Sequence, residues 1–177
     1  MSDSSTVHGL EQGRREPRPV WHRRIGVGLL SLVVLAGATG WLGVRSDATT
    51  AEAAGYRLAV TYARTARSGL DVPLRIELTA PGPLADGPLA EGVTLSISRE
   101  YLNIFEQQGF HPEPASTTGD AQNVHLTFDP PPSGNVLVVD FDAYIQPSSQ
   151  QGADAVIALV VDGAVVVSVD ISTFLWP

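Results

Sequence analysis

Residues 155–173 read AVIALVVDGAVVVSVDIST, and this stretch decides the fold class. It consists of two strongly β-branched runs that only Asp162 and Gly163 separate. Aspartate followed by glycine between two such runs is a strong signal of a two-residue β-hairpin, in which a type I′ turn needs positive φ at both turn positions. The stretch therefore predicts an antiparallel hairpin.

The residues upstream of this hairpin alternate between apolar and polar side chains, which is typical of strands buried on one face. Loops rich in proline and glycine, such as residues 80–92, separate them. Seven strands, no long helix after residue 55 and no βαβ alternation predict an all-β fold, an immunoglobulin-like antiparallel β-sandwich. The apolar positions of the five upstream strands are Tyr56, Leu58, Val60 and Tyr62; Leu74, Ile76 and Leu78; Val93, Leu95 and Ile97; Val124, Leu126 and Phe128; and Leu137, Val139, Phe141, Ala143 and Ile145.

Residues 99–110, REYLNIFEQQGF, interrupt the alternation with a dense group of apolar side chains. A single helical turn or an irregular corner that plugs the core would use them. The alternative is an exposed aromatic patch that binds a partner.

Charge is unevenly distributed along the 177 residues, whose formal net charge is −8. Residues 45–177 contain six arginines and sixteen acidic side chains, whereas residues 1–24 are net basic. An acidic β domain argues against a nucleic-acid partner, because phosphates attract basic side chains. Cysteine is absent, which excludes disulfides, thiol catalysis and cysteine metal sites.

Residues 25–44, IGVGLLSLVVLAGATGWLGV, form an apolar stretch of twenty residues without a charge. As a helix that rises about 1.5 Å per residue, it would be about 30 Å long and would match the hydrocarbon core of a bilayer. Trp21 and Trp41 lie near its two ends, and indole rings favour the headgroup region. The sequence thus predicts one transmembrane helix over residues 25–44.

Five arginines within residues 14–24 precede this stretch. The positive-inside rule therefore predicts a single-pass protein of the cell membrane with a cytoplasmic N-terminus and an extracytoplasmic C-terminal domain. The predicted organisation is a disordered basic tail over residues 1–24, the transmembrane helix over 25–44, a tether over 45–55 and the β-sandwich domain over 56–177.

A cleaved signal peptide is the alternative to an anchor. Ala51-Glu52-Ala53 has the small-x-small form that a signal peptidase accepts. However, the apolar stretch is longer than the about 7–15 residues of the apolar region within a signal peptide, and the candidate cleavage site lies well beyond Val44. We therefore favour an uncleaved anchor.

Small residues recur at a spacing of four within the apolar stretch. Ala36 and Gly40 form one such pair, and Thr39 and Gly43 form another. Small-xxx-small pairs let helix backbones approach closely, so Ala36 and Gly40 are candidate contacts with a second membrane helix.

Asp140 and Asp142 lie two residues apart on a predicted strand, so both carboxylates face the same way. They could be solvated surface groups, partners of Arg57 or Arg75 on a neighbouring strand, or ligands of a hard cation such as calcium. Paired carboxylates also hydrolyse glycosides. No spacing specifies a third ligand, so the sequence predicts no cofactor and leaves Asp140 and Asp142 as candidate cation ligands.

Other chemical signals are missing from the sequence. His111 lies in a proline-rich loop and His125 on the outward side of a strand, and both are predicted to be incidental surface residues. There is no Gly-x-Ser-x-Gly elbow, no Ser-x-x-Lys pair and no glycine-rich phosphate loop. The sequence therefore predicts a protein that is not an enzyme.

Four segments carry a resemblance to a known group: ARSGLDVPLRIELTAPG at 66–82, YLNIFEQQGFHPEP at 101–114, LTFDPPPSGNVLVVDFDAYIQP at 126–147 and VVVSVDISTFLWP at 165–177. Together with the basic tail and single apolar stretch, they resemble single-pass membrane proteins of high-GC Gram-positive bacteria that have an immunoglobulin-like extracytoplasmic domain. The resemblance implies a sandwich and an anchor. It implies no catalytic positions.

These features predict a membrane-anchored module that binds another envelope or membrane protein. Phe174 and Trp176 at the end of the last strand are its predicted contact residues, unless that strand end packs into its own core. The alternative function is ligand or glycan binding, with calcium as an aid and with Tyr101, Tyr144 and Trp176 as stacking platforms.

Overall fold

A computed structural model describes residues 20–39 and 43–176. The chain divides into two compact units, residues 1–42 and 43–177. The predicted tail over 1–24 lies mostly outside the described residues, as do residues 40–42 of the predicted membrane helix and Gly40 with them.

The first unit contains helix α1, Val20–Ala38. Thr39 closes it, because its backbone N–H donates to the Leu35 carbonyl at 3.0 Å and its hydroxyl donates to the Ala36 carbonyl at 3.0 Å. Arg23 and Arg24, predicted to precede the helix, lie inside it. Among residues 20–39 and 43–176, no helix combines the length and the apolar character that are needed to cross a membrane.

The second unit is built almost entirely of strands. Its elements, in chain order, are β1 Arg45–Ala53, β2 Tyr56–Arg67, β3 Asp71–Thr79, β4 Val93–Ser98, α2 Arg99–Leu102, β5 Phe105–His111, β6 Ser116–Gly119, β7 Asn123–Phe128, β8 Val136–Ile145, β9 Ala153–Val161 and β10 Ala164–Trp176. The all-β prediction is confirmed.

The strands form a curled mixed sheet in the order β5-β8-β3-β2-β10-β9-β4-β7-β6, with β1 paired to β2. Strand β10 joins the two halves of this order. Residues 164–173 pair antiparallel with β9, whereas Phe174, Leu175 and Trp176 pair parallel with Thr65, Ala66 and Arg67 of β2. The remaining described pairings are antiparallel.

Within residues 43–176, strands from both halves of this order contribute to one hydrophobic cluster, and alternation builds it. On β3, Val72, Leu74, Ile76 and Leu78 are buried while the residues between them are exposed. Strands β2, β8, β9 and β10 contribute apolar side chains to the same cluster. The period of two that the sequence shows is thus the pattern that places one face of each strand in the core.

The hairpin predicted at Asp162 and Gly163 is confirmed. Both turn residues have positive φ, 52° and 76°, and Ala164 pairs with Val161. A second turn of this kind joins β1 to β2, where Ala54 and Gly55 have φ of 51° and 82°. The second turn escaped prediction because its first position is alanine, which rarely adopts positive φ.

The tether predicted over residues 45–55 is wrong, because Arg45–Ala53 forms β1 and pairs with β2 along its whole length. Ala51 and Ala53 pack against the core, as does Val44 just before the strand. Small polar residues concealed this strand, since alanine and threonine give little contrast between its two faces. The β domain therefore begins at Gly43 and not at Tyr56.

The corner at residues 99–110 plugs the core, as predicted. Tyr101 and Phe105 are only 1% and 2% exposed, and their rings meet edge to face with centroids 5.2 Å apart. The predicted helical turn is α2, but the residues after it form β5 at the edge next to β8. Strands β5 and β6 were not predicted.

Candidate functional site

Strand β8 presents Asp140 and Asp142 on one outward face, as the period of two predicts. Arg75 on β3 lies directly opposite Asp140, and its guanidinium donates to Asp140 Oδ1 at 3.3 Å. The sequence offered Arg57 and Arg75 as possible partners of these carboxylates. Arg75 is the one in contact, whereas Arg57 pairs with Glu52 at 3.6 Å. About half of each side chain in the Arg75–Asp140 pair is exposed, so the pair stabilises the fold by no more than about 1 kcal/mol.

Asp142 contacts a different partner, because His111 Nε2 lies 3.1 Å from Asp142 Oδ2. His111 on β5 is the cross-strand partner of Asp140, and Asp142 is the next outward-facing residue of β8. Within residues 20–39 and 43–176, no group of three histidine, aspartate or glutamate side chains is arranged to hold a metal ion. A cation at Asp140 and Asp142 would compete with Arg75 and His111.

The second histidine belongs to a structured turn. Asp120 Oδ1 accepts backbone N–H bonds from Asn123 at 2.7 Å and Gln122 at 2.8 Å, and these bonds hold the pKa of Asp120 below its usual value. His125 Nε2 lies 3.6 Å from Asp120 Oδ2. The Arg99 guanidinium donates to the Asp120 carbonyl at 2.7 Å, so it joins this turn to α2. The turn thus orders the loop between β6 and β7.

The end of β10 carries an exposed aromatic pair. Phe174 and Trp176 are 54% and 43% exposed, and their rings meet edge to face with centroids 5.3 Å apart. Leu175 between them points into the core and is 2% exposed. The strand end thus packs into the core through Leu175, whereas Phe174 and Trp176 stay on the surface. Their role as contact residues remains a prediction.

This aromatic pair lies where the chain enters the β domain. Thr65 on β2 is the register partner of Phe174 and also of Arg45, the first residue of β1. Trp176 is the register partner of Arg67. The first and the last strand of the domain therefore meet at one end of β2.

Sequence reasoning missed a buried hydroxyl network at the same place. The Tyr101 and Thr173 hydroxyls are hydrogen-bonded at 3.0 Å, and the Thr173 hydroxyl donates to the Ala63 carbonyl at 2.6 Å. Burial raises the pKa of Tyr101 to about 12. One feature of the sequence could have indicated this network. Thr173 is a polar residue at an inward-facing position of β10, between the inward-facing residues Ile171 and Leu175.

Two predicted glycan platforms differ in their exposure. Tyr101 is buried, so its prediction as a stacking platform is wrong. Tyr144 is half-buried on the outward face of β8. A surface groove of about 460 Å³ lies instead across β9 and β10, where Asp154, Asp170, Ser98 and Ser172 line it together with Val156.

The structure describes only one of the two residues of the predicted helix contact. Ala36 lies in the last turns of α1, and its carbonyl accepts the Thr39 hydroxyl. Gly40 lies outside the described residues, so the pair remains a prediction.

Comparison of the chain with models of known protein families and with curated proteins finds no match.

Proposed function

We propose that the chain is a membrane-anchored, non-enzymatic protein of the cell envelope that acts through contacts with other envelope components. Its N-terminus would be cytoplasmic and its β domain extracytoplasmic. The support is the uncharged stretch over residues 25–44, the arginines before it, and the apolar side chains that α1 exposes, among them Leu29, Leu32 and Leu35.

The observation that carries this proposal is the position of the alternative cleavage site. Ala51-Glu52-Ala53 lies inside β1, paired with residues 56–58 of β2. Cleavage there would remove a nine-residue strand from the sheet and expose the edge of β2. An uncleaved segment keeps β1 in the domain, so the fold favours an anchor over a signal peptide.

The immunoglobulin-like sandwich is part of the proposal. The strands β1, β2, β3, β5 and β8 form one antiparallel group, and β4, β6, β7, β9 and β10 form another. Both groups contribute to one core. This division supports a two-layer sandwich in which β10 changes layer near Thr173.

The proposal that the domain is not an enzyme takes its support from the contacts that its surface carboxylates and histidines make. Asp140 and Asp142 contact Arg75 and His111, and His125 contacts Asp120. These side chains, which were the candidates for chemistry, are held in pairs along the surface. We propose contacts with an envelope or membrane protein through Ala36 and Gly40, and with a further envelope component through Phe174 and Trp176.

Fractionation of cells that produce the full chain tests the anchor. We expect the intact protein in the membrane fraction after an alkaline carbonate wash, with its β domain accessible to protease from outside. A soluble product in the medium that begins near Ala54 would contradict the anchor. The matched variant Ala53→Leu blocks the small-x-small site, and we expect it to leave the fractionation unchanged.

Crosslinking in intact cells tests the partner. Replacing Ala36 and Gly40 with leucine should remove a crosslinked membrane partner, because bulky side chains separate the helices. Gly37→Leu is the control, since a side chain at Gly37 meets no atom within 4 Å and lies on another side of α1. Recovery of the same partner from the A36L/G40L variant would exclude this contact.

The groove across β9 and β10 favours a second candidate function, the binding of a glycan or polyol. Its two carboxylates, Asp154 and Asp170, and its hydroxyls suit a polyhydroxylated ligand or a calcium-assisted one. A glycan array should then give signals that Asp154→Asn and Asp170→Asn abolish, while Asp162→Asn in the hairpin turn leaves them unchanged. A blank array and no calcium heat in calorimetry would remove this candidate.

A further inference from the structure

Strand β10 has an open edge over most of its length. Within residues 43–176, the segment 164–173 pairs with β9 alone, and the pairing with β2 begins only at Phe174. In an antiparallel pair, alternate residues direct their backbone N–H and C=O groups away from the partner strand. The side of β10 that faces away from β9 therefore presents a row of backbone donors and acceptors to which no strand of this domain is paired.

Three other strands of the described domain have an open edge, and each of them is protected against further pairing. Strand β6 has only four residues. Strand β5 has a break in its register between Gln107 and Phe110. Strand β1 carries Asp47 and Glu52, and each of these carboxylates forms an ion pair with an arginine of β2. Short length, irregular register and charge all hinder the addition of a strand.

Residues 167–172 of β10 lack these protections. Their sequence, VSVDIS, contains no proline and only one charge, that of Asp170. The register irregularity of β10 lies before this segment, between Val165 and Val167. The three apolar side chains of the segment point into the core, and the three polar ones alternate with them on the exposed face. A regular edge with little charge is the kind of edge that accepts an additional strand.

We propose that the open edge of β10 at residues 167–172 binds an extended strand of another protein, and that this strand carries an arginine or lysine beside Asp170. This inference rests on the proposed contact function, for which it names the surface and the chemistry of the partner. It does not rest on the proposed anchor.

Charge favours a basic strand over a second copy of the chain. Residues 45–177 contain six arginines and sixteen acidic side chains, so two copies repel each other. Asp170 is exposed and takes part in none of the ion pairs between described side chains, and the same holds for Asp154, which lines the same groove. A residue opposite Asp170 on an added strand would have its Cβ about 4.5–5.5 Å away, where a cation attracts and a carboxylate repels.

The period of two also determines the other side chains of the partner strand. Residues of the added strand that face the same way as Asp170 remain in water beside Ser168 and Ser172. The residues between them face the same way as buried Val169 and Ile171, so apolar side chains suit them. The partner segment is therefore expected to alternate between apolar and polar residues around one basic residue.

Fluorescence polarisation of a labelled peptide, added to the full chain in detergent, tests this contact. The probe is a synthetic peptide in which valine alternates with threonine and one central threonine is replaced by arginine. We expect the peptide to bind and to slow amide hydrogen exchange at alternate residues of 167–172. The same peptide with N-methylated amides should not bind, because it cannot donate to β10. Binding of the methylated peptide, or unchanged exchange at 167–172, would overturn the inference.

Asp170→Lys tests the charge of the partner. We expect the affinity for the arginine peptide to fall by more than about tenfold, and the affinity for a peptide with glutamate at the central position to rise. Glu77→Lys is the matched control, because it makes the same change of charge at an exposed position of β3, which has a neighbour on both sides. If both substitutions have the same effect, a specific basic partner beside Asp170 is excluded.

Sedimentation of the full chain without peptide distinguishes a partner protein from a second copy. We expect no association through β10, so amides on its open edge should exchange rapidly. Self-association that slows exchange at 167–172 would overturn the assignment to another protein. Because the peptide is added in detergent, these tests remain readable if the fractionation experiment refutes the anchor, and their failure leaves the anchor proposal intact.

Discussion

Thr173 lies where β10 passes from β9 to β2. Its backbone pairs with Ala153 of β9, and the next residue, Phe174, pairs with Thr65 of β2. Its hydroxyl bonds Tyr101 and the Ala63 carbonyl inside the core. A hydroxyl at this position satisfies two buried polar groups that hydrocarbon would leave without a partner.

Thr173→Val should lower the free energy of unfolding by about 1–3 kcal/mol, since it keeps the shape of the side chain and removes both bonds. Urea denaturation measures the loss. The neighbouring Ser172→Ala, at an exposed position, should stay within about 0.5 kcal/mol of the parent protein. An equal effect of both substitutions would show that the buried hydroxyl network has no special role.

Tyr101 should make stability depend on alkaline pH. Burial raises its pKa from 10.0 to about 12, so the folded state keeps its proton while the unfolded chain loses it above pH 10.0. The contribution to stability is therefore fully present below pH 10.0 and is lost as the pH rises towards 12. The loss is on the order of 2–3 kcal/mol.

Urea denaturation at several pH values in this range measures the effect. Tyr101→Phe should flatten that part of the profile, although the variant is less stable overall. A profile that is just as steep in the Tyr101→Phe variant would assign the loss to other groups.

The loop before β9 packs closely against β10 at Gly152. A Cβ added at Gly152 would overlap the Thr173 carbonyl and lie 3.0 Å from the Phe174 Cα. Both contacts are with backbone, which cannot move aside as a flexible side chain can. The loop thus requires glycine where β10 leaves β9 for β2.

Gly152→Ala should therefore cost at least about 1–3 kcal/mol and loosen the last residues of β10. Thermal unfolding measures the cost, and amide hydrogen exchange at Phe174 and Leu175 measures the loosening. Gly82→Ala is the control, because an added Cβ there meets nothing within 4 Å. Unchanged exchange at the end of β10 would show that the loop and the strand are not coupled.

Local patterns identify the elements whose signals are local. The dipeptide Asp162-Gly163 predicts its turn from residue identity alone, and the alternation in β3 and β8 predicts which residues are buried. Strand β1 has no such signal, because SDATTAEAA reads as a polar linker and pairing with β2 makes it a strand. Strand β6 likewise has four exposed residues, and only its pairing with β7 defines it.

For the whole molecule, the domain boundary is a testable quantity. A fragment over residues 43–177 contains β1, and Val44, Ala51 and Ala53 of this segment pack against the core. We expect it to unfold in one cooperative transition. A fragment over residues 56–177 should lose on the order of 2–4 kcal/mol and tend to aggregate, because β2 becomes an open edge.

Chemical denaturation and light scattering of the two fragments measure these differences. Equal stability of both fragments would return residues 45–55 to the role of a tether.

At this scale the candidate sites were predictable only in part. Period two placed Asp140 and Asp142 on one face, and an arginine partner was one of three alternatives that the sequence left open. Of the two arginines named, Arg75 is the one that contacts Asp140. The His111–Asp142 pair was not predictable, because it depends on β5 lying beside β8 and joins residues that are 31 positions apart in the chain. The meeting of Arg45 with Phe174 across Thr65 is likewise a property of long-range register.

The position of β1 has a mechanical consequence. Tension that arrives along the chain through Gly43 and Val44 pulls on the first residue of β1, and the turn to β2 lies at the opposite end of the strand. When the rest of the domain is held at that far end, all nine cross-strand pairs are sheared together and do not open one after another. The segment that reads as a flexible linker would then be the part of the domain that resists extension.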